Sequence, residues 1–123
     1  MVKLLRKGDE QRRSWNIMDA SRSRDAAYVP QLLAMLKSNE TYSNKRHIIR
    51  ALGNIGDPRA EAPLLALLHS SGGLMLGDVV HSLGQLKSQR AVPRLKSLRS
   101  DKRQWVRQNA TWALRNIQRH RRR

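Results

Sequence analysis

The residues best suited to bind a ligand lie near the C-terminus, on the polar side of an apolar-periodic segment. At 100° per residue, the apolar positions from Val106 to Ile117 form one helical face, and Trp112, Arg115, Arg119 and Arg122 fall on the opposite side. Arginine matches a phosphate with paired hydrogen bonds, and an indole offers a stacking surface for a base or a cation. This pattern predicts a polyanion-binding surface. The alternative is that Trp112 packs against its neighbours as a C-terminal cap.

Basic residues are concentrated in the last third of the chain. The protein has 123 residues and a formal net charge of +16, with 25 Lys+Arg against 9 Asp+Glu. Residues 25–86 have five basic and five acidic residues, whereas residues 87–123 have thirteen basic residues and one acid, Asp101, a net charge of +12. A neutral middle beside a basic end favours a localised electrostatic surface. The predicted polyanion-binding residues are Arg46, Arg50, Arg94, Lys96, Arg99, Lys102, Arg103, Arg107, Trp112, Arg115, Arg119 and Arg122.

No group of residues indicates catalysis, a cofactor or a metal. There are 0 cysteines, and the four histidines lack helical metal-site spacing, which predicts solvated surface histidines. Gly72-Gly73 lacks the residues of a phosphate-binding loop, and no pair of carboxylates has the setting of an acid–base pair. We therefore predict a non-enzymatic protein without cofactor or metal. The lack of a long apolar run or secretory signal predicts a cytoplasmic protein without a membrane partner.

Two short sequence phrases recur at a nearly constant interval along the chain. Prolines open the first phrase of each unit, at Pro30, Pro63 and Pro93. The second phrase places Leu52, Leu83 and Leu114 one interval apart, each within an apolar set at helical spacing. Proline is favoured at the start of a helix, so each unit should contain two helices. This regular interval predicts an all-α solenoid of about seven helices, with the three leucines in one core.

A further apolar-periodic segment precedes the first proline. We predict that it forms a capping helix, with Trp15 as a core or cap residue. The predicted single domain, residues 1–123, divides into a capping helix at about 9–24, repeats at 25–56, 57–87 and 88–118, and a basic tail at 119–123.

Two stretches carry a family resemblance. The sequence from Ala51 to Leu65 resembles the HEAT-like repeats first described in phycobilin lyases, and the sequence from Trp105 to Leu114 is similar to the start of that family's second helix. The resemblance implies a short right-handed α-solenoid of about three helix pairs plus the N-terminal cap. It also implies that the second helices line the concave side, where Arg50, His81 and Trp112 would form a row.

The same repeat serves lyases, adaptors, chaperones and nucleic-acid binders, so the resemblance leaves two function classes open. In the first, the protein is a non-enzymatic module or accessory subunit that binds a polyanion, preferentially nucleic acid or a ribonucleoprotein. In the second, it is an adaptor or chaperone that docks an acidic protein, as a phycobilin-lyase-related accessory factor would. The abundance of arginine favours phosphate, and the small size favours a place in a larger assembly.

Overall fold

Helices make up most of the described structure. The computed structural model describes residues 10–38 and 40–121, with side chains described for residues 15–38 and 40–119. Across those ranges the chain forms seven α-helices and no strand, which confirms the prediction of an all-α solenoid. The helices are α1 (Glu10–Ser23), α2 (Val29–Lys37), α3 (Tyr42–Ile55), α4 (Glu61–Ser70), α5 (Gly73–Gln85), α6 (Val92–Leu98) and α7 (Gln104–Arg121). A 3-10 turn precedes each of α2, α4 and α6.

Polar caps and special backbone residues define the helix ends. Asp25 and Asp57 each accept a hydrogen bond from a backbone N–H two residues on, at the starts of the turns that lead into α2 and α4. Thr41 caps α3 by accepting a hydrogen bond from the Asn44 N–H at 3.1 Å. Gly56 ends α3 with φ 76°, a left-handed conformation that glycine adopts without steric cost.

The helices form two layers. Helices α1, α3, α5 and α7 pack side by side, and α2, α4 and α6 each pack against the helix that follows. The pairs are therefore α2–α3, α4–α5 and α6–α7, with α1 covering the open side of α3. Leu52, Leu83 and Leu114 are all buried in one continuous hydrophobic core, as the repeat register predicts.

Two glycines set the spacing between the second helices of neighbouring pairs, which are α3, α5 and α7. A Cβ at Gly53 would come within 2.5 Å of Ser82 Oγ, and one at Gly84 would come within 2.8 Å of Trp112 and 3.0 Å of the Ala113 backbone. Both glycines therefore allow close helix–helix contact across successive repeats. A ladder of hydrogen bonds runs beside them, in which Asn54 Nδ2 donates to Ser21 Oγ, Gln85 Nε2 to Asn54 Oδ1, and Asn116 Nδ2 to the Gly84 carbonyl.

Of the two roles predicted for Trp15, core or cap, the core role is wrong. Trp15 is 61% exposed, whereas Ile17 and Ala20 are fully buried on α1. Because α1 packs on the stack along one side only, Ile17 and Ala20, which share a helix face, take the core positions. The indole of Trp15 instead lines a shallow surface depression with Met18 and Arg22.

The last helix is longer than the sequence predicts. Helix α7 continues to Arg121, beyond the predicted end of the third repeat at residue 118. Arg119 therefore belongs to a helix and not to a basic tail. Arg122 lies outside the described residues.

Candidate functional site

The second helices place three equivalent residues in a row. Arg50 lies on α3, His81 on α5 and Trp112 on α7, each one repeat from the next. The His81 imidazole stacks on the Trp112 indole with ring centroids 4.3 Å apart and an interplanar angle of 13°. Gly84 allows this contact, because the Trp112 ring lies directly over it. Trp112 remains 41% exposed, so the indole is both packed and accessible.

The stack alters the titration of His81. Desolvation lowers the pKa of His81 below its ordinary value of 6.5, and the positive charge of Arg50 lowers it further, partly offset by Asp78. The neutral form of the imidazole therefore predominates at pH 7, and in that form the stack with Trp112 is a contact between two uncharged rings.

A central groove crosses α3, α5 and α7 beside this row. It has a volume of about 440 Å³, and its lining includes Arg46, Arg50, Leu74, Asp78 and Trp105. Asp78 is only 6% exposed and accepts hydrogen bonds from Arg46 Nε at 2.6 Å and from Arg50 Nε at 2.9 Å. The bond to Asp78 raises the pKa of Arg46 above its ordinary value, partly offset by burial. One buried carboxylate thus fixes two guanidinium groups at the groove.

A second surface covers the far side of α7, and we call it the end face. It encloses a depression of about 550 Å³. Its residues are Gln104, Arg107, Gln108, Thr111, Trp112, Arg115 and Arg119. Arg115 and Arg119 are exposed, and neither has a hydrogen-bond or ion-pair partner within residues 15–38 and 40–119.

The end face differs in chemistry from the matching face of α5. The positions on α5 that lie one repeat before Arg107, Thr111 and Arg115 are Leu76, Val80 and Gly84, which are apolar or lack a side chain. The face of α5 that carries Gly84 receives α7 at close range. On α7, a guanidinium takes the position of the glycine, and polar groups take the apolar positions. Among the described residues, the end face therefore displays positive charge around an aromatic ring.

Other predicted residues are committed to local structure. Arg103 pairs with Asp101 at 2.9 Å and lies 5.4 Å from the centre of the Trp105 ring. Hydrogen bonds from Arg103 lower the pKa of Asp101 to about 2. Arg107 donates from Nη1 to the carbonyl oxygens of Asp101 and Lys102, at 2.7 and 3.0 Å. These contacts hold the α6–α7 loop. Asp101 offsets the charge of Arg103, and the carbonyl bonds occupy Nη1 of Arg107, so these two arginines have fewer free donors than Arg115 and Arg119.

The remaining predicted residues lie away from both depressions. Arg94 and Lys96 are on α6, in the layer of first helices, while Arg99 and Lys102 follow it in the α6–α7 connection. They line neither the central groove nor the end face. The fold thus separates the predicted residues into a groove pair, Arg46 and Arg50, an end-face group around Trp112, and a basic surface around α6.

Asp78 and Trp105 are site residues that the sequence reasoning missed. Asp78 follows both Arg46 and Arg50 by roughly one repeat, so the register contained a signal that places it beside them. Trp105 is half-buried against Gly77, whose missing side chain leaves room for the indole. Among the described residues, histidine, cysteine, aspartate and glutamate side chains form no group of three or more that could hold a metal ion.

Paired helices stacked in two layers define a helical-repeat protein. The profile of HEAT repeats matches residues 29–115, more than half of the chain, and the chain belongs to this family. HEAT repeats generally serve as protein-interaction scaffolds and are typically non-enzymatic. The finer likeness to the phycobilin-lyase type stays a prediction. No curated protein matches the chain. None of the described helices is long and apolar enough to cross a membrane.

Proposed function

We propose that this protein is a non-enzymatic HEAT-repeat binding module that holds a polyanion, nucleic acid or a ribonucleoprotein, on its end face. One observation carries the proposal: Arg115 and Arg119 surround an exposed indole at positions where the preceding repeat has Gly84 and Ser88. Charge at such positions does not help the repeats to stack. It does provide donors that fit phosphate oxygens.

Trp112 supplies the second element of the proposed site. One face of its indole is covered by His81, and the ring also lines the end-face depression. A base that stacks on the remaining face would extend the His81–Trp112 stack by one ring. Such stacking tolerates any base, so the proposed binding has little sequence preference.

The surrounding charge supports affinity over a longer range. Lys96, Arg99 and Lys102 are exposed and have no carboxylate partner within the described side chains. They lie on α6 and the loop that leads into α7, next to the helix of the end face. Their field would attract a polyanion and hold it through phosphate contacts that release counterions.

Fluorescence anisotropy with a labelled oligothymidylate tests the proposal. With about six phosphates of this single strand engaged, affinity should fall roughly 300-fold between about 50 and 200 mM salt. Arg115→Ala and Arg119→Ala should each reduce the slope of log affinity against log salt by about 0.7, the value for one phosphate contact on a single strand. Arg22→Ala is the matched control. Arg22 is also an exposed arginine, but it lies on α1, and α3 and α5 stand between α1 and α7 in the row of packed helices. No binding at about 50 mM salt, or a flat salt response, would contradict the proposal.

An acidic protein is the second candidate partner, because HEAT repeats generally serve as protein-interaction scaffolds. In this alternative the same basic end docks an acidic surface, within a larger assembly. Copurification from the native host with and without nuclease separates the two. Nucleic acid that leaves after nuclease treatment supports the first candidate, and a stoichiometric acidic protein that stays bound supports the second.

A further inference from the structure

The central groove contains two guanidinium groups that are held in place but not fully used. Arg46 and Arg50 both bind Asp78 through Nε. Their terminal Nη nitrogens have no hydrogen-bond partner within residues 15–38 and 40–119, and both side chains line the groove. Asp78 is almost fully buried, and its carboxylate holds the two arginine side chains in place at the groove. An anion that binds between them meets donors whose positions are already restricted, which lowers the entropic cost of binding.

The charge of the groove differs from that of the end face. Arg46 and Arg50 share the negative charge of Asp78, so the cluster has a net charge near +1. The end face has arginines and no carboxylate among its lining residues. A nucleic acid, which has a phosphate at every nucleotide, would meet several arginines at the end face. The groove instead suits a single, isolated anionic group.

The remaining walls of the groove suit a peptide. Side-chain amides of Asn54, Gln85 and Asn109 line it. Asn54 and Gln85 are already bonded within the inter-repeat ladder, whereas the Asn109 amide has no hydrogen-bond partner among the described side chains and can both donate to and accept from a peptide backbone. The indole of Trp105 and the isobutyl group of Leu74, which is 58% exposed, add apolar surface at the other end. The central groove, with a volume of about 440 Å³, thus contains donors for a carboxylate, hydrogen-bonding groups for a peptide backbone and apolar surface for a side chain.

We propose that the central groove binds an acidic, partly apolar peptide segment of a partner protein, with one carboxylate held between Arg46 and Arg50 and an apolar side chain on Trp105 and Leu74. This second site is separate from the end face and takes a different ligand. The protein would thereby connect a polyanion on α7 with a protein partner in the groove.

The test uses a fluorescein-labelled peptide in which Glu and Leu alternate with Gly and Ser. The matched control peptide has Gln in place of every Glu. The Glu peptide should bind the full chain about tenfold more tightly than the Gln peptide, since a charge-assisted bond is lost. Arg50→Lys keeps the charge but loses the planar fork, so it should weaken binding of the Glu peptide by about tenfold. Arg115→Ala, on the end face, should leave peptide binding unchanged.

A second variant protects the test against a folding defect at Arg50. Leu74→Glu places a negative charge on the exposed wall of the groove, where folding does not depend on the side chain. It should weaken both peptides, because the apolar contact with Leu74 is lost, and it should weaken the Glu peptide several-fold more than the Gln peptide, because the new carboxylate repels Glu. Equal affinity for both peptides, or Arg50→Lys and Leu74→Glu proteins that bind as the parent does, would overturn the proposal. If these variants lose the oligothymidylate and keep the peptide, the groove belongs to the nucleic acid instead. If only Arg115→Ala loses oligonucleotide binding, that result bears on the proposed end-face site and not on the groove.

Discussion

Replacing Trp112 by alanine separates binding from packing, because the two roles have different readouts. The indole is 41% exposed, so roughly 120 Å² of its surface leaves water on folding. At about 25 cal/mol per Å², this burial contributes at most about 3 kcal/mol to the free energy of unfolding. We expect Trp112→Ala to lose about 1.5–3 kcal/mol of that free energy. For a chain of this length the melting temperature should fall by about 4 °C per kcal/mol.

The same substitution should weaken binding of a single-stranded oligonucleotide. Loss of one base–indole stack costs about 1–3 kcal/mol, which is roughly a fivefold to 150-fold loss of affinity. The salt slope should stay nearly unchanged, because no charge is removed. Anisotropy is measured well below the melting temperature of the variant, so that only folded protein contributes. Melting is followed separately by circular dichroism.

Trp15→Ala is the matched control. Trp15 is 61% exposed and lies on α1, which packs against α3. It should cost less stability than Trp112→Ala and leave oligonucleotide binding unchanged. A Trp112→Ala protein that melts earlier but binds as before would refute the stacking role and leave Trp112 as a packing cap. If neither property changes, the reasoning from burial is wrong as well.

Three further predictions concern the core, a close contact and a titration. Leu83→Ala should cost roughly 2–5 kcal/mol in chemical denaturation, whereas Leu74→Ala in the same helix should change stability by about 0.5 kcal/mol or less, because Leu83 is buried and Leu74 is exposed. Gly84→Ala should be destabilising by about 1–2 kcal/mol despite its higher helix propensity, since the added Cβ meets Trp112 and the α7 backbone; a more stable variant would disprove this close approach. NMR titration should place the pKa of His81 below 6.5 and move it upward in Trp112→Ala, as desolvation is removed. The contribution of neutral His81 to the free energy of unfolding is present above about pH 6.5 and is lost as the pH falls towards the lowered pKa. A pKa of His81 at or above 6.5 in the parent protein would contradict this prediction.

The periodic features of the fold were open to sequence reasoning. Apolar residues at helical spacing and a repeat of constant length depend on local geometry and on a regular translation between units. They therefore predicted the helix pairs and the common core of Leu52, Leu83 and Leu114, which the structure confirms. The same register aligned Arg50 with the positions that form the His81–Trp112 stack.

Tertiary structure decided which side of each helix is covered and which charges are shared. Trp15 has an apolar side chain at a plausible core position, but α1 turns Ile17 and Ala20 towards α3. Asp78 binds Arg46 and Arg50 only because α5 packs beside α3 in a particular rotation. A sequence specifies which residues share a helix face, whereas the neighbouring helix determines whether that face is core, groove or solvent.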